Sequence, residues 1–238
     1  MKFISKENRC LEWDSFVHDY RNRLKNKRWG NFSNITCTKT REPIGRQVKL
    51  KLHQHLLEEQ RGLCIYCMQE IPNSKPNKFS HIEHVQPRSI YRELRFTYEN
   101  LSVSCNGGKC TTEKVNDERD FCGHFKDLTN RYAIQFKQDQ FLNPLQIEWI
   151  SNCFIFDIEG RIKPNPTQTE EIQARAKYMI ELVGLDNENL NDYRKEAYES
   201  LILIEMDKGE KFISELLSYQ NEEYIGFITM MHQLFDIK

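Results

Sequence analysis

The spacing of four cysteines constrains this 238-residue chain more than any other feature of its sequence. Cys64 and Cys67 form a C-x-x-C pair, and Cys105 and Cys122 follow further along the chain. A C-x-x-C turn places two thiolates on one side of a tight loop, and two later thiolates can complete a tetrahedral zinc site. The intervening segment consists of loops and short strands that can bury little apolar surface by themselves. We therefore predict a structural Zn²⁺ ion held by these four cysteines.

One ligand of this predicted site has an alternative. A polar insertion, 106–121, separates Cys105 from Cys122, and Cys110 lies within it, so Cys110 competes with Cys122 for the fourth position. Without a secretory leader, eight cysteines indicate metal ligation or free thiols rather than disulfides. Three isolated cysteines are expected to be small buried hydrophobic residues: Cys10, Cys37 and Cys153.

A second group of potential ligands carries oxygen and nitrogen rather than sulfur. Glu83, His84, Asn100 and His124 all fall in the segment that contains the cysteines. Such groups suit a divalent cation that keeps open positions for water and a phosphate. His81 precedes Glu83 by two residues and would share its strand face. It is therefore a further candidate for a metal ligand or a phosphate contact.

Five segments of the chain occur in the order found in a known group of proteins: HIEHVQP (81–87), YENLSVSC (98–105), CGHFKD (122–127), FIFDIEGRI (154–162) and ELVGLDNENLNDYRKEA (181–197). They resemble the HNH (ββα-metal) endonuclease family. More closely, they are similar to the HNH nuclease subunit of Septu-type anti-phage systems, including those associated with retrons. The resemblance covers most of the chain.

The resemblance implies an α+β fold, with a zinc-bound ββα-metal core flanked by an N-terminal helical segment and a C-terminal helical region. It implies that Glu83 and His124 bind a catalytic Mg²⁺ or Mn²⁺ ion. It makes His84 the general base and Asn100 the residue that braces the catalytic loop. It also favours Cys122 as the fourth zinc ligand, because the Cys-Gly-His-x-Lys ending resembles that of the family.

One position departs from the family pattern. Many relatives carry an asparagine directly after a cysteine at this place, whereas this chain has Gly123. Either His124 or Asn106 then supplies the second ligand of the catalytic metal. Three basic residues near the motif are candidates for holding phosphates: Arg88, Lys109 and Lys126.

The chemistry of phosphodiester hydrolysis explains why these residue types would be needed. The reaction requires an activated water and positive charge near the developing oxyanion. A neutral imidazole can take a proton from water near pH 7, which fits His84. Neighbouring residues of a regular strand face opposite sides, so Glu83 and His84 share one cleft only if the strand ends or twists there. Pro87, which follows soon after, is consistent with such an ending.

Hydrophobic periodicity predicts the elements that carry these residues. A capping box at Thr167–Glu170 predicts the start of a helix that ends at Gly184. The other predicted helices span Leu11–Lys25, Gly45–Gln60 and Leu190–Asp207, with one or two more over 211–235. The predicted strands are Phe79–Val85 and Asn100–Ser104, followed by a small hairpin over 153–162.

Charge is distributed unevenly along the chain. Residues 1–63 hold 14 Lys and Arg against 7 Asp and Glu, whereas residues 140–238 hold 9 against 18. A basic segment attracts nucleic acid and an acidic one repels it. We therefore predict a basic helical segment (1–46), a nuclease domain with the zinc site (47–139) and a mostly helical partner-docking region (140–238). The basic cluster after the first helix could meet either phosphate or an acidic partner surface.

By resemblance, the predicted function is a DNA endonuclease that serves as the effector of a Septu-like anti-phage complex. The expected partners are DNA, an ABC-type ATPase subunit and, in retron-associated systems, a reverse transcriptase with its non-coding nucleic acid. The N-terminus has no apolar leader and no run reaches membrane-spanning length, so we expect a cytoplasmic protein. Two alternatives remain: a free-standing restriction-like HNH nuclease, and a catalytically silent zinc-built module for nucleic-acid binding or assembly.

Overall fold

The computed structural model of the chain describes residues 1–25, 28–73, 76–110, 120–218 and 224–237. In this part of the chain, helices surround small antiparallel hairpins, and the predicted α+β class is confirmed. The strands are β1 (Ser80–His84), β2 (Leu101–Cys105), β3 (Phe154–Phe156) and β4 (Ile162–Pro164). The α-helices are α1 (Leu11–Asp19), α2 (Arg21–Leu24), α3 (Ile44–Glu59), α4 (Pro76–Phe79), α5 (Cys122–Tyr132), α6 (Glu170–Val183), α7 (Glu188–Lys208), α8 (Glu210–Leu216) and α9 (Ile228–Leu234).

The central hairpin pairs β1 with β2 and sets Ser80 opposite Cys105 and His84 opposite Leu101. Both strands lie within one residue of their predicted positions. β2 is buried along its whole length because α3 and α5 both pack against it. The connection between the strands contains two 3-10 helices, Arg92–Phe96 and Tyr98–Asn100.

Helix α5 follows the hairpin in the chain and packs on β2. The β1–β2–α5 arrangement is consistent with the HNH-like fold expected from the resemblance. The helix begins at Cys122, whose φ of 67° lies in the left-handed region and turns the chain sharply into the helix. Residues 111–119 of the predicted polar insertion lie outside the described residues.

The N-terminal segment packs around aromatic side chains. The helix predicted over Leu11–Lys25 is divided into α1 and α2, because Tyr20 leaves helical geometry with φ −108° and ψ 14°. Its ring stacks on Phe16 at a centroid distance of 5.1 Å. Trp13 and Phe16 are buried. The ring of Trp13 contacts three further aromatic rings, one of them in the loop after β1: Trp29, Phe32 and Phe96.

The C-terminal region contains the predicted hairpin and helices. One local prediction was wrong: the N-cap of α6 is Thr169, whose Oγ1 accepts a hydrogen bond from the amide of Ile172 at 3.4 Å. The hydroxyl of Thr167 donates instead to Asn165 Oδ1 at 2.9 Å within the preceding turn. That turn delays the helix by two residues. Gly184 ends α6 in the left-handed region, with φ 66°, as the sequence indicated.

Buried residues from all three predicted segments belong to one contiguous hydrophobic core. The core therefore joins the N-terminal helices, the central hairpin and the C-terminal helices, while the segment boundaries remain predictions. No helix within the described ranges is long and apolar enough to cross a bilayer.

Candidate metal centre and active site

The four predicted cysteines meet in the interior. Cys64, Cys67, Cys105 and Cys122 are all buried, and their sulfur atoms lie within 4.8 Å of one another. The Cys64–Cys122 and Cys67–Cys105 sulfur separations are 3.7 and 3.8 Å. A tetrahedral zinc ion with Zn–S bonds of about 2.3 Å requires sulfurs roughly 3.8 Å apart. The cluster therefore has the donor type and spacing that a structural zinc site needs.

The backbone around the C-x-x-C turn holds these sulfurs in place. The amide of Cys64 donates to the Gln69 carbonyl at 2.9 Å, which closes the loop. The amide of Cys105 donates to the Cys64 sulfur at 3.3 Å, and the amide of Gln69 donates to the Cys67 sulfur at 3.5 Å. Such amide donors favour the thiolate form that a metal requires. The start of α5 supplies the fourth sulfur, from Cys122.

Cys110, the alternative fourth ligand, lies outside the group of four. It is buried, and its sulfur accepts a hydrogen bond from Gln69 Nε2 at 3.2 Å. Its own amide donates back to Gln69 Oε1 at 3.3 Å. Geometry therefore favours Cys122 over Cys110, and ligation itself remains a prediction. Cys10 and Cys153 are buried like small hydrophobic residues, whereas Cys37 is half-buried.

Glu83 is held from one side by a buried lysine. Lys126, on α5, is fully buried, and its ammonium contacts Glu83 Oε1. The Tyr66 hydroxyl donates to the same oxygen at 2.9 Å. Burial alone would raise the pKa of Glu83, but the positive charge of Lys126 and the neighbouring His81 lower it below its ordinary value. Glu83 is therefore a carboxylate at neutral pH.

The position of Lys126 differs from the sequence expectation. The ammonium donates to the Tyr66 hydroxyl at 3.0 Å and to the carbonyl oxygens of His84 and Val85 at 2.7 and 2.9 Å. The contacts of Lys126 are therefore with the protein interior, unlike the phosphate contact that the sequence suggests. Tyr66 and Lys126 are the members of this site whose roles no sequence spacing indicated.

His81 and His124 meet beside Glu83. Their rings stack at a centroid distance of 3.8 Å and an interplanar angle of 16°. His81 Nδ1 lies 3.0 Å from Asn106 Oδ1, and the side-chain nitrogen of Asn106, Nδ2, donates to the Lys78 carbonyl at 3.1 Å. Because Asn106 presents its oxygen, His81 carries a proton on Nδ1. His81 Nε2 faces Glu83 Oε2 at 3.4 Å, so these two atoms are placed to share either a proton or a metal ion.

Gly123 leaves the space in which these groups meet. A Cβ atom at this position would lie 2.5 Å from Glu83 Oε2 and 2.8 Å from His81 Nε2. Neither approach is tolerated by the side chains as they stand. The family's asparagine could not be placed here without moving Glu83, which gives a physical reason for the departure noted in the sequence.

His84 points to the other side of β1. It is buried, and its ring centroid lies 4.5 Å from that of Trp29, with the two ring planes nearly perpendicular at 87°. Its Nε2 donates to the Arg95 carbonyl oxygen at 2.9 Å, because a carbonyl can only accept. Nδ1 therefore keeps its lone pair. Burial, with the charge of Arg88 acting in the same direction, lowers the pKa of His84 to about 4.

Asn100 ties together the loop that presents the Arg95 carbonyl. Its side-chain oxygen accepts from the Gln86 amide at 2.8 Å, and its nitrogen donates to the Gln86 and Leu94 carbonyls at 3.0 and 3.5 Å. Gln86 lies near the start of this loop, and Leu94 directly precedes Arg95. Asn100 therefore hydrogen-bonds within the loop that contains Arg95, and its role in orienting a catalytic base remains a prediction.

The predicted residues thus fall into three places. The cysteine cluster is one, the Glu83–His81–His124 group is the second, and His84 with Asn100 is the third, behind β1. Among the described residues, the four cysteines are the group of three or more ionisable ligands whose donor atoms all lie within 4.8 Å of one another. Glu83, His81 and His124 lie near one another, but their donor atoms do not all fall within that distance.

Comparison with known proteins bears on the general class of this chain and not on its site residues. No family model matches the chain. A Vibrio cholerae (serotype O1 biovar El Tor) protein named "Retron Vc95 putative HNH endonuclease" is 27% identical over 162 residues, which are 66% of this chain and 68% of that protein. The chain is similar to this protein. The similarity and the cysteine cluster together support a nuclease role in general.

Proposed function

We propose that the chain is a metal-dependent endonuclease that hydrolyses DNA phosphodiester bonds, with His84 as its general base. The orientation of His84 carries this proposal. Its Nε2 proton is committed to the Arg95 carbonyl, and its depressed pKa of about 4 keeps the ring neutral at pH 7. Nδ1 is then ready to take a proton from a water molecule, a role worth roughly 10²–10⁴ in rate. The choice of DNA rests on the family resemblance.

The Glu83 group is the proposed site of the catalytic ion. The Glu83 carboxylate and the imidazole nitrogens of His81 and His124 are suitable ligands for a divalent cation such as Mn²⁺ or Mg²⁺. Bound there, the ion would supply Lewis-acid stabilisation of the phosphate and of the leaving 3′ oxygen. Lys126 and Tyr66 engage Glu83 Oε1 and so direct Oε2 toward His81. Cleavage would give a 5′-phosphate and a 3′-hydroxyl.

We further propose that the nuclease is the effector of a Septu-like anti-phage complex with an ABC-type ATPase subunit. The name of the Vibrio cholerae relative places that protein with a retron, which supports a defence context. The C-terminal region carries an acid excess and exposes apolar side chains on α7, including Leu203 and Met206, at 67% and 80% of their full accessibility. Such a surface suits a protein partner better than nucleic acid.

Plasmid cleavage in Mg²⁺ or Mn²⁺ tests the nuclease. Wild type should nick or cut, and zinc-loaded His84→Ala should lose at least 100-fold of the rate. His55→Ala, at a histidine bonded to the Asn8 carbonyl away from the site, should stay within twofold of wild type. If wild type is inert both alone and with the ATPase subunit while zinc is bound, the nuclease proposal fails and the silent zinc-built module is favoured.

A further inference from the structure

A cleft of about 580 Å³ opens between helices α1–α2 and the 3-10 helix Arg92–Phe96. Arg21 and Lys25 line one wall, and Arg92 and Arg95 line the other. Glu93 is the one carboxylate among its lining residues. Two stretches about 70 residues apart in the chain, counted from these positions, thus bring four cations to one concave surface.

Three of the four cations of this cleft differ from most cations of the C-terminal region. Within the part of the chain that is described, Arg21, Lys25 and Arg92 form no ion pair with an acidic side chain. Cations of the C-terminal region, by contrast, are often paired: Arg161 with Asp157, Lys195 with Glu159, Lys177 with Glu181 and Lys211 with Glu215. Like charges gathered on one concave surface repel one another, and a polyanion would relieve that repulsion.

The cleft lies directly beside His84. The carbonyl of Arg95 accepts the Nε2 proton of His84, and Arg95 also lines the cleft. Phe96 forms part of the same wall, and its ring centroid lies 5.7 Å from that of Trp29, which also packs against His84. A ligand seated in the cleft would therefore touch the segment that orients the proposed base.

We infer that this cleft binds the sugar–phosphate backbone of DNA and leads it toward His84. Guanidinium groups recognise phosphate with paired hydrogen bonds, and such contacts carry no sequence preference. The inference rests on the proposed nuclease function and names the surface that holds its substrate. It also decides between the phosphate and the acidic protein surface that the basic cluster left open.

DNA affinity measured without cleavage tests the cleft. In a His84→Ala background, the anisotropy of a short fluorescein-labelled duplex would be titrated with Arg21→Glu/Lys25→Glu and with Lys177→Glu/Lys195→Glu. Both pairs change the net charge equally, but only the first lies in the cleft. The cleft pair should raise Kd at least tenfold and lower the slope of log K against log salt by about 2. The control pair should change Kd less than twofold.

Zinc content and melting temperature show whether each variant is folded. If the cleft pair fails to fold, Arg92→Glu on the opposite wall decides, with an expected rise in Kd of at least threefold. Equal weakening by cleft and control pairs would overturn the inference and indicate a general charge effect. Unchanged DNA affinity in the folded cleft variants would also overturn it and point to an acidic protein surface as the occupant.

The outcomes separate this inference from the proposed function. If the protein binds DNA through the cleft but never cuts it, the binding surface stands and the nuclease proposal fails. If the protein cuts DNA and the cleft substitutions leave its DNA affinity unchanged, the nuclease proposal stands and the binding surface fails.

Discussion

The ammonium group of Lys126 donates a hydrogen bond to the backbone carbonyl oxygen of His84 at 2.7 Å. The same ammonium contacts the carboxylate of Glu83, the preceding residue. One cation from α5 thus holds the end of β1 where both proposed functional side chains begin. The two side chains diverge from this point, Glu83 toward His81 and His84 toward Arg95.

Replacing Lys126 with methionine should leave Glu83 as a buried charge without its partner. We expect the free energy of unfolding of the zinc-loaded protein to fall by roughly 3–5 kcal/mol, measured by urea denaturation. The pKa of Glu83 should rise because burial then acts unopposed by that charge. The double variant Lys126→Met/Glu83→Gln should recover part of the loss. Equal stability of the single and double variants would contradict the ion pair.

Gly123→Ala should damage activity while the zinc site survives. The new Cβ would lie 2.5 Å from Glu83 Oε2, so the carboxylate must move. A displacement of about 1 Å at a reacting group can cost ~10²-fold in rate. Gly30→Ala is a matched control, because nothing lies within 4 Å of a Cβ there. Cleavage rates and zinc content of both variants are the measurements, and full activity in Gly123→Ala would show that Glu83 need not stay where it is.

The cysteine cluster predicts that substitutions of Cys122 and Cys110 differ sharply in their effect on zinc binding. Cys122→Ser should lose bound zinc and the cooperative thermal transition, because a structural zinc site contributes directly to folding. Cys110→Ser should keep one zinc ion per chain, since its sulfur is bonded to Gln69 outside the group of four. Elemental analysis with thermal unfolding distinguishes the two. Zinc loss in Cys110→Ser with retention in Cys122→Ser would reverse the ligand assignment.

Stability should fall with acidification in part because of His53. Burial lowers the pKa of this histidine to about 4 from 6.5. Between these values the unfolded chain binds a proton that the folded protein does not, so the free energy of unfolding decreases as pH falls. From pH 7 to pH 5 the loss attributable to His53 should be about 2 kcal/mol. His53→Gln should show a correspondingly shallower decline in urea unfolding, and an identical decline would refute this role.

The sequence predicted those features that depend on local pattern. The C-x-x-C turn, the two strands of the central hairpin and the helix α3 each follow from spacing or periodicity within a short window. The convergence of Cys122 on the other three sulfurs was favoured by the family resemblance, not by spacing, since a polar insertion precedes it. Thr169 caps α6 in place of the predicted Thr167, because the hydroxyl of Thr167 is hydrogen-bonded to Asn165 in the preceding turn.

The remaining features depend on contacts between distant segments. The side chain of Lys126 points inward because Tyr66 and the end of β1 supply hydrogen-bond acceptors for its ammonium group. No local sequence pattern reveals these acceptors. The orientation of His84 depends on a carbonyl of Arg95, a backbone group that sequence cannot single out. The strand alternation noted in the sequence does separate Glu83 from His84, whose side chains lie on different sides of β1.

The closeness of the Cys105 and Cys122 sulfurs, within 4.8 Å, has a consequence for protein engineering. The chain between these two residues leaves and returns at nearly one point, so its ends are already held close together at the cysteine cluster. Lengthening a loop whose ends are fixed costs only about 0.6 kcal/mol for each doubling of its length. A fluorescent reporter or affinity tag inserted between 111 and 119 should therefore cost the protein little stability.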